Sequence, residues 1–164
     1  FNTDIVKGLT FKAAYTLSEF SYVDYKALII KPSPFQEVIE DYSNNVVPSV
    51  PKNLFSTELG YSKSFGKYYN AFVKANAKYV GSMFVNDKNT DSLKTDSYFL
   101  IGAQFGFAVN YQGLNLTAYA GVDNIGDKKY VSFININDMN GRYYEAGPLR
   151  NIFGGVKIGY IFKK

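Results

Sequence analysis

The sequence predicts an all-β fold: an antiparallel transmembrane β-barrel, present as an arc of about six long strands of a larger barrel. Three observations predict it. Apolar and polar residues alternate over stretches longer than the roughly 5–6 residues of an ordinary soluble strand. The connections between those stretches run long, short, long, short, long, as in barrels whose long loops face outward and whose short turns face the periplasm. Tyr and Phe stand at the margins of the apolar pattern, where a membrane barrel carries its aromatic girdles.

The first strand lies in LTFKAAYTLSEF, where Leu9, Phe11, Ala13, Tyr15 and Leu17 alternate with Thr10, Lys12, Ala14, Thr16 and Ser18. A long polar stretch, about residues 21–52, follows. Its KALIIKPSPFQEVIEDY segment contains two prolines and only a short apolar run, Ala27–Ile30, and does not supply two spanning strands; FQEVIEDY is its nearest approach to a helical period. The second strand, NLFSTELGYSKSF, sets Phe55, Thr57, Leu59, Tyr61 and Phe65 on one face, interrupted by Lys63. Ser56, Glu58, Gly60, Ser62 and Ser64 lie opposite. A tight turn at Gly66 leads to the third strand, where Tyr69 and Tyr79 bracket Ala71, Val73, Ala75 and Ala77, against Lys74, Asn76 and Lys78.

NDKNTDSLKTD, residues 86–96, connects to the fourth strand. There Phe99, Ile101, Ala103, Phe105, Phe107, Val109 and Tyr111 oppose Gly102, Gln104, Gly106 and Asn110. Gln112–Gly113 makes the next tight turn. The fifth strand sets Leu114, Leu116, Ala118, Ala120 and Val122 against Asn115, Thr117, Tyr119 and Gly121. After the long segment 126–149, the closing strand sets Ile152, Val156, Ile158, Tyr160 and Phe162 against Gly155, Lys157 and Gly159.

Ten residues at about 3.3 Å each, tilted about 45°, cover roughly 23 Å, which matches the apolar band of a membrane barrel. Phe55, Phe65, Tyr69, Tyr79, Phe99, Tyr111, Ile158, Tyr160 and Phe162 are therefore expected to meet lipid or its interfaces. Lys12, Glu58, Lys74, Asn76, Lys78, Gln104 and Lys157 are expected to face the lumen, with bare backbone at Gly155 and Gly159 leaving room there. Membrane barrels close with about eight strands or more. An open edge in lipid leaves backbone groups unsatisfied, at several kcal/mol each. The sequence is thus expected to be one arc of a barrel completed by other segments.

Composition narrows the function. The chain has no His and no Cys, which excludes His- or Cys-dependent nucleophilic catalysis, disulfides and thiolate or imidazole metal sites. No paired-carboxylate site or phosphate-cradling glycine loop emerges, so an enzyme is not expected. The net charge of +4 is spread thinly along the chain, with no basic stripe for nucleic acid. No apolar run approaches the roughly 20 residues of a spanning helix, and a mean hydropathy of −0.16 suits strands that are apolar on one side only. Asp87, Asn89 and Asp91 imitate the start of a calcium loop. Ser92 stands at the glycine position and Tyr98 at the glutamate position, so neither an EF-hand nor any other metal site or cofactor is expected.

Two segments carry a resemblance. In GVDNIGDKKYVSF, Asn124, Ile125, Gly126, Asp127, Lys128, Lys129 and Tyr130 resemble the segment that follows the penultimate strand in TonB-dependent outer-membrane receptors. In GRYYEAGPLRNIFGGVKIGYIF, Gly141 to Arg150 resemble that family's lead into its closing strand, with Gly126 where Phe is usual and Ala146 where Pro is common. VPKNLFSTELGY and KTDSYFLIGAQFGF are similar to its strand starts, so the likeness covers most of residues 48–162. Many outer-membrane proteins end on an aromatic; here Phe162 fits that place, with Lys163 and Lys164 beyond it.

The resemblance implies residues 1–164 are the C-terminal segment of a 22-stranded barrel, without the plug domain that fills it. It implies uptake of a scarce solute such as an iron–siderophore complex, energised through TonB. The partners it implies are the rest of the barrel and the plug, TonB through the missing N-terminal part, outer-membrane lipid, lipopolysaccharide and a siderophore-type ligand. The location implied is the bacterial outer membrane, with long loops extracellular and termini periplasmic. Arg142 and Arg150, the only arginines, frame the last long loop with Tyr143, Tyr144 and Glu145. Guanidinium and phenol groups suit an anionic chelate, or else pin the loop to the barrel wall. A passive porin or structural barrel is the alternative; a soluble ligand-binding barrel is a more distant one.

Overall fold

A computed structural model describes residues 2–162, so Lys163 and Lys164 lie outside the described residues. In chain order the strands are β1 (Asn2–Val6), β2 (Leu9–Leu17), β3 (Lys26–Pro32), β4 (Phe35–Asp41), β5 (Asn53–Phe65) and β6 (Tyr69–Val80). Then follow β7 (Tyr98–Tyr111), β8 (Leu114–Asp123), β9 (Val131–Ile134), β10 (Tyr144–Ala146) and β11 (Asn151–Tyr160). Seven of them form one antiparallel sheet in the order β1-β2-β5-β6-β7-β8-β11; β3–β4 and β9–β10 are separate two-stranded hairpins. Six members of the large sheet are the long strands read from the alternation. The seventh, β1, is five residues long, too short to show a period. The FQEVIEDY segment forms β4 rather than a helical turn.

Every neighbour in the large sheet is the next of its members along the chain. This meander places the connections 18–52, 81–97 and 124–150 at one end and the tight turns at the other. The turn between β7 and β8 has φ of +46° at Gln112 and +89° at Gly113. Positive φ at both central residues matches the right-handed twist of the flanking strands. A Cβ added at Gly113 would lie 2.6 Å from the Ile161 carbonyl oxygen. Gly113→Ala is expected to cost roughly 1–2 kcal/mol from the left-handed backbone alone, read as a lower urea midpoint for folding into lipid vesicles.

The alternation holds through the register. On one face, Tyr15, Phe55, Tyr79 and Phe99 are successive cross-strand partners, an aromatic row across four strands near the loop end. The Tyr15 hydroxyl donates to Asn53 Oδ1 at 2.6 Å. Nearer the turn end the same face carries Phe65, Tyr69 and Tyr111, with Tyr160 and Phe162 packed edge-on at 4.9 Å. Lys63 interrupts this face without breaking it: its amine lies 5.5 Å from the Phe65 ring centroid, so stem and charge both find a partner. Ile152 is 79 % exposed and Phe105 64 %, and the apolar face they share is far larger than the patches soluble monomers tolerate.

The opposite face is polar but not bare. Phe72 lies against Gly106, Tyr119 against Gly155 and Phe153 against Gly121, each directly across a strand pair. A Cβ at Gly155 would come within 2.6 Å of the Tyr119 hydroxyl. The open space expected at Gly155 is therefore filled by the Tyr119 ring; only Gly159 keeps it, with nothing nearer than the Asn115 Cβ at 3.9 Å. Glycine opposite an aromatic lets the ring lie flat on the strand and bury area that neither residue buries alone.

The buried apolar cluster does not lie between sheet layers. It joins Val80 and Tyr98, at the loop end of β6 and β7, to Met83, Val85 and Ile134 from the connections, with Leu54 and Leu100 packed against it. Leu54, Val80 and Tyr98 are cross-strand partners on the polar side. The connections 81–97 and 124–150 thus fold over the polar face at its rim.

Candidate functional site

Lys12, Glu58 and Asn76 are successive cross-strand partners on the polar face, followed by Gly102 on β7. Lys12 Nζ lies 3.0 Å from Glu58 Oε1. Lys74 and Gln104 form the next row toward the turns, and Lys78 the next toward the loops. Lys157 stands on the same face opposite Thr117. Lys12, Glu58, Asn76 and Lys78 line a shallow recess of about 430 Å³. A second recess of about 320 Å³, under the connection 124–150, shares Asn76 and Lys78 and adds Asp123, Tyr130 and Asn151. Positive, negative and amide groups are thus pooled at the loop half of this face.

Above it, the three long connections are tied together at Asp87, which is 6 % exposed. The Tyr22 hydroxyl donates to Asp87 Oδ1 at 2.6 Å, and the Tyr25 hydroxyl to Oδ2 at 3.3 Å. Asn137 donates its amide to Oδ2 and accepts from the Asp87 N–H at 3.1 Å. Asn45 donates to the Asp87 carbonyl at 2.7 Å. Both Asp87 carboxylate oxygens thus accept from protein donors. Among the described residues no cluster of three or more acidic, His or Cys side chains is placed to hold a metal. Tyr22, Tyr25 and Tyr42 pack in sequence with tilted rings, centroids 4.7 and 5.7 Å apart, and the Tyr42 hydroxyl donates to Glu40 at 2.7 Å. The alternation does not reach this hub, because its members sit in loops far apart in sequence.

The last connection is closed at its base. Asn124, with φ of +51°, accepts from the Lys128 N–H at 2.9 Å and donates to the Lys128 and Pro148 carbonyls. Asp127 accepts from the Arg150 N–H at 2.9 Å, and Arg150 Nε donates to the Ile125 carbonyl at 3.0 Å. A Cβ at Gly147 would fall 2.2 Å from the Tyr130 ring. Hydrogen bonds and a close glycine contact therefore clasp the two segments singled out from the sequence.

The family model for the TonB-dependent receptor-like β-barrel matches residues 2–125. This chain belongs to that family. Its fold is similar to the crystal structure of BauA, the ferric preacinetobactin receptor from Acinetobacter baumannii, at a TM-score of 0.62 and 11 % identity. That likeness covers 93 % of this chain and 27 % of the BauA chain, so the chain spans about a quarter of that receptor's length. TonB-dependent receptors are outer-membrane receptors rather than enzymes.

In this TonB-dependent receptor barrel segment the four loop residues singled out from sequence have different partners. Arg150 is bound into the loop base. Tyr143 packs against the buried cluster, and the Tyr144 hydroxyl donates to the Leu93 carbonyl at 2.6 Å. Arg142 donates its N–H to Asp138 at 3.1 Å, and among the described residues no acceptor engages its guanidinium. Burial and the bond to Asp87 push the Tyr22 hydroxyl up to about 12; burial and the bond to Glu40 do the same for Tyr42. The folded loops therefore favour the neutral phenols, a contribution whole below the ordinary tyrosine value of about 10 and lost as pH rises through about 12. The loops are expected to resist protease at pH about 9 and lose that resistance near pH 12, and Tyr22→Phe to remove one late-ionising phenol from the ultraviolet titration.

Proposed function

We propose that this chain supplies the C-terminal strands of an outer-membrane receptor that imports an anionic metal chelate of the iron–siderophore kind, energised through TonB. The observation that carries the reading is the sheet itself. One face is apolar, aromatic-edged and uncovered; the other is polar, and both edge strands, β1 and β11, have an unpaired side among the described residues. In lipid those edges need further strands, which the rest of a larger barrel would supply.

In this reading the face of Phe55, Phe65, Tyr69, Tyr79, Phe99, Tyr111, Ile158 and Tyr160 meets lipid, with Phe162 at the periplasmic rim. Lys12, Glu58, Lys74, Asn76, Lys78, Gln104 and Lys157 line the lumen, against the plug. The long connections are extracellular. Arg142 is the group offered to an anionic ligand, supported by its unengaged guanidinium; Tyr143, Tyr144 and Arg150 hold the loop that presents it.

The test uses the full-length parent protein. Its deletion should abolish uptake of one labelled ferric chelate, and removal of TonB should abolish the same uptake. Steady ion conductance in planar bilayers, with no tight chelate binding, would instead make it a porin.

A further inference from the structure

The tip of the last long connection carries the chain's one Asn–Gly pair, Asn140–Gly141. Asp138 holds it in a turn. Its carbonyl accepts from the Gly141 N–H at 3.2 Å, and its Oδ1 accepts from the Asn140 and Arg142 N–H groups at 2.8 and 3.1 Å. The Gly141 bond is at the long limit of an N–H···O bond. Gly141 has φ of +73°, and a Cβ placed on it would meet nothing within 4 Å. Both residues of the pair are exposed, and their neighbour Met139 is 98 % exposed.

The other asparagine amides of this connection are engaged. Asn124 bonds Lys128 through both amide atoms, and Asn137 bonds Asp87 in the same way. Asn135 donates to the Arg142 carbonyl and to Glu145. Among the described residues no partner holds the Asn140 side-chain amide; only its backbone N–H is bonded.

We propose that Asn140 is a deamidation site whose conversion switches the charge of the loop tip beside Arg142. The Gly141 nitrogen loses its proton and attacks the Asn140 Cγ. A C–N bond forms, the side-chain nitrogen leaves as ammonia, and a cyclic imide remains. Water then opens either carbonyl of the ring, giving aspartate or isoaspartate. No electron is gained or lost: an amide and water become a carboxylate and an ammonium ion. Glycine permits the step because it has no Cβ to shield the nitrogen and its backbone turns freely. Before conversion the segment 138–142 is neutral, with Asp138 against Arg142; afterwards it carries one negative charge. An anionic chelate approaching Arg142 then meets a new carboxylate two residues away. The switch rests on the ligand reading proposed above; the chemistry at Asn140 does not.

The experiment uses the full-length receptor, folded in detergent and aged in mildly alkaline, heavy-oxygen water. Each variant is scored for the heat-dependent gel shift of a folded barrel. Peptide Tyr130–Arg142 holds Asn135, Asn137 and Asn140 together, so mass spectrometry compares all three in one fragment. Asn140 should gain one heavy oxygen while Asn135 and Asn137 keep their amides. Gly141→Ala should lower the converted fraction roughly twofold to fivefold. Asn140→Gln, which would have to close a larger ring, should keep its amide. No conversion at Asn140, or conversion of Asn135 or Asn137 as fast, would overturn the inference. Asn140→Asp stands for the product, with ferric citrate and a ferric tricatecholate as the probes. It should weaken binding roughly twofold to fivefold, by less as salt is added. Equal affinity would overturn the switch alone. A folded wild type that binds neither probe would overturn the chelate reading and the switch with it, but not the deamidation.

Discussion

Asp87→Ala is expected to release all three long connections at once while leaving the sheet folded. The carboxylate is buried and accepts from Tyr22, Tyr25 and Asn137, one or two donors from each of the other connections. A hydrogen bond to a charged group contributes about 1.5–3 kcal/mol, and a buried donor left without a partner costs about 1–3 kcal/mol. Losing the shared acceptor should therefore cost about 3–5 kcal/mol of loop docking. Trypsin should then cut at Lys26 or Lys88 in folded protein that resists it in the wild type. Asp87→Asn should have a smaller effect, because its carbonyl still accepts from Tyr22. The heat-dependent gel shift should survive in both, since none of the large sheet's ladder passes through Asp87. A wild-type cleavage pattern in Asp87→Ala would show that the connections hold together through their apolar cluster alone.

Val73→Arg is expected to be the most damaging single change in the sheet. Val73 sits mid-strand on the apolar face between its partners Tyr61 and Phe105, and is 49 % exposed. If that face meets lipid, an arginine near the bilayer midplane costs about 2–4 kcal/mol. Gln104→Arg, one row away on the opposite face beside Lys74, should cost less than about 1 kcal/mol, because its side chain stays wet. Urea titration of folding into lipid vesicles measures both. Equal penalties, or a larger one for Gln104→Arg, would reverse the assignment of the two faces.

The strands were legible because their signal is local and repeated. Phe55, Leu59 and Tyr61 fall on one side of β5 because successive side chains point to opposite faces; no partner strand is needed to see it. The same holds for Ala71 to Ala77 between Tyr69 and Tyr79. β1 was not legible, because five residues carry too little period. The loop hub was not legible either. Asp87 lies 65 residues from Tyr22 and 50 from Asn137, and nothing in NDKNTD distinguishes a carboxylate that joins loops from one that meets solvent. Arg142 and Arg150 looked alike in sequence; their partners separate them, one engaged only through its backbone and the other clasped to Ile125.

By itself, then, the sequence determined the six long strands, their two faces and the alternation of long and short connections. All three follow from period two and from turn residues, which act within a few positions of chain. Tertiary structure alone decided where the aromatic row aligns, which glycines are covered by rings and which loops share Asp87. Those depend on register between strands and on contacts across dozens of residues: Gly155 is bare in the chain, and only its cross-strand partner Tyr119 fills the space above it.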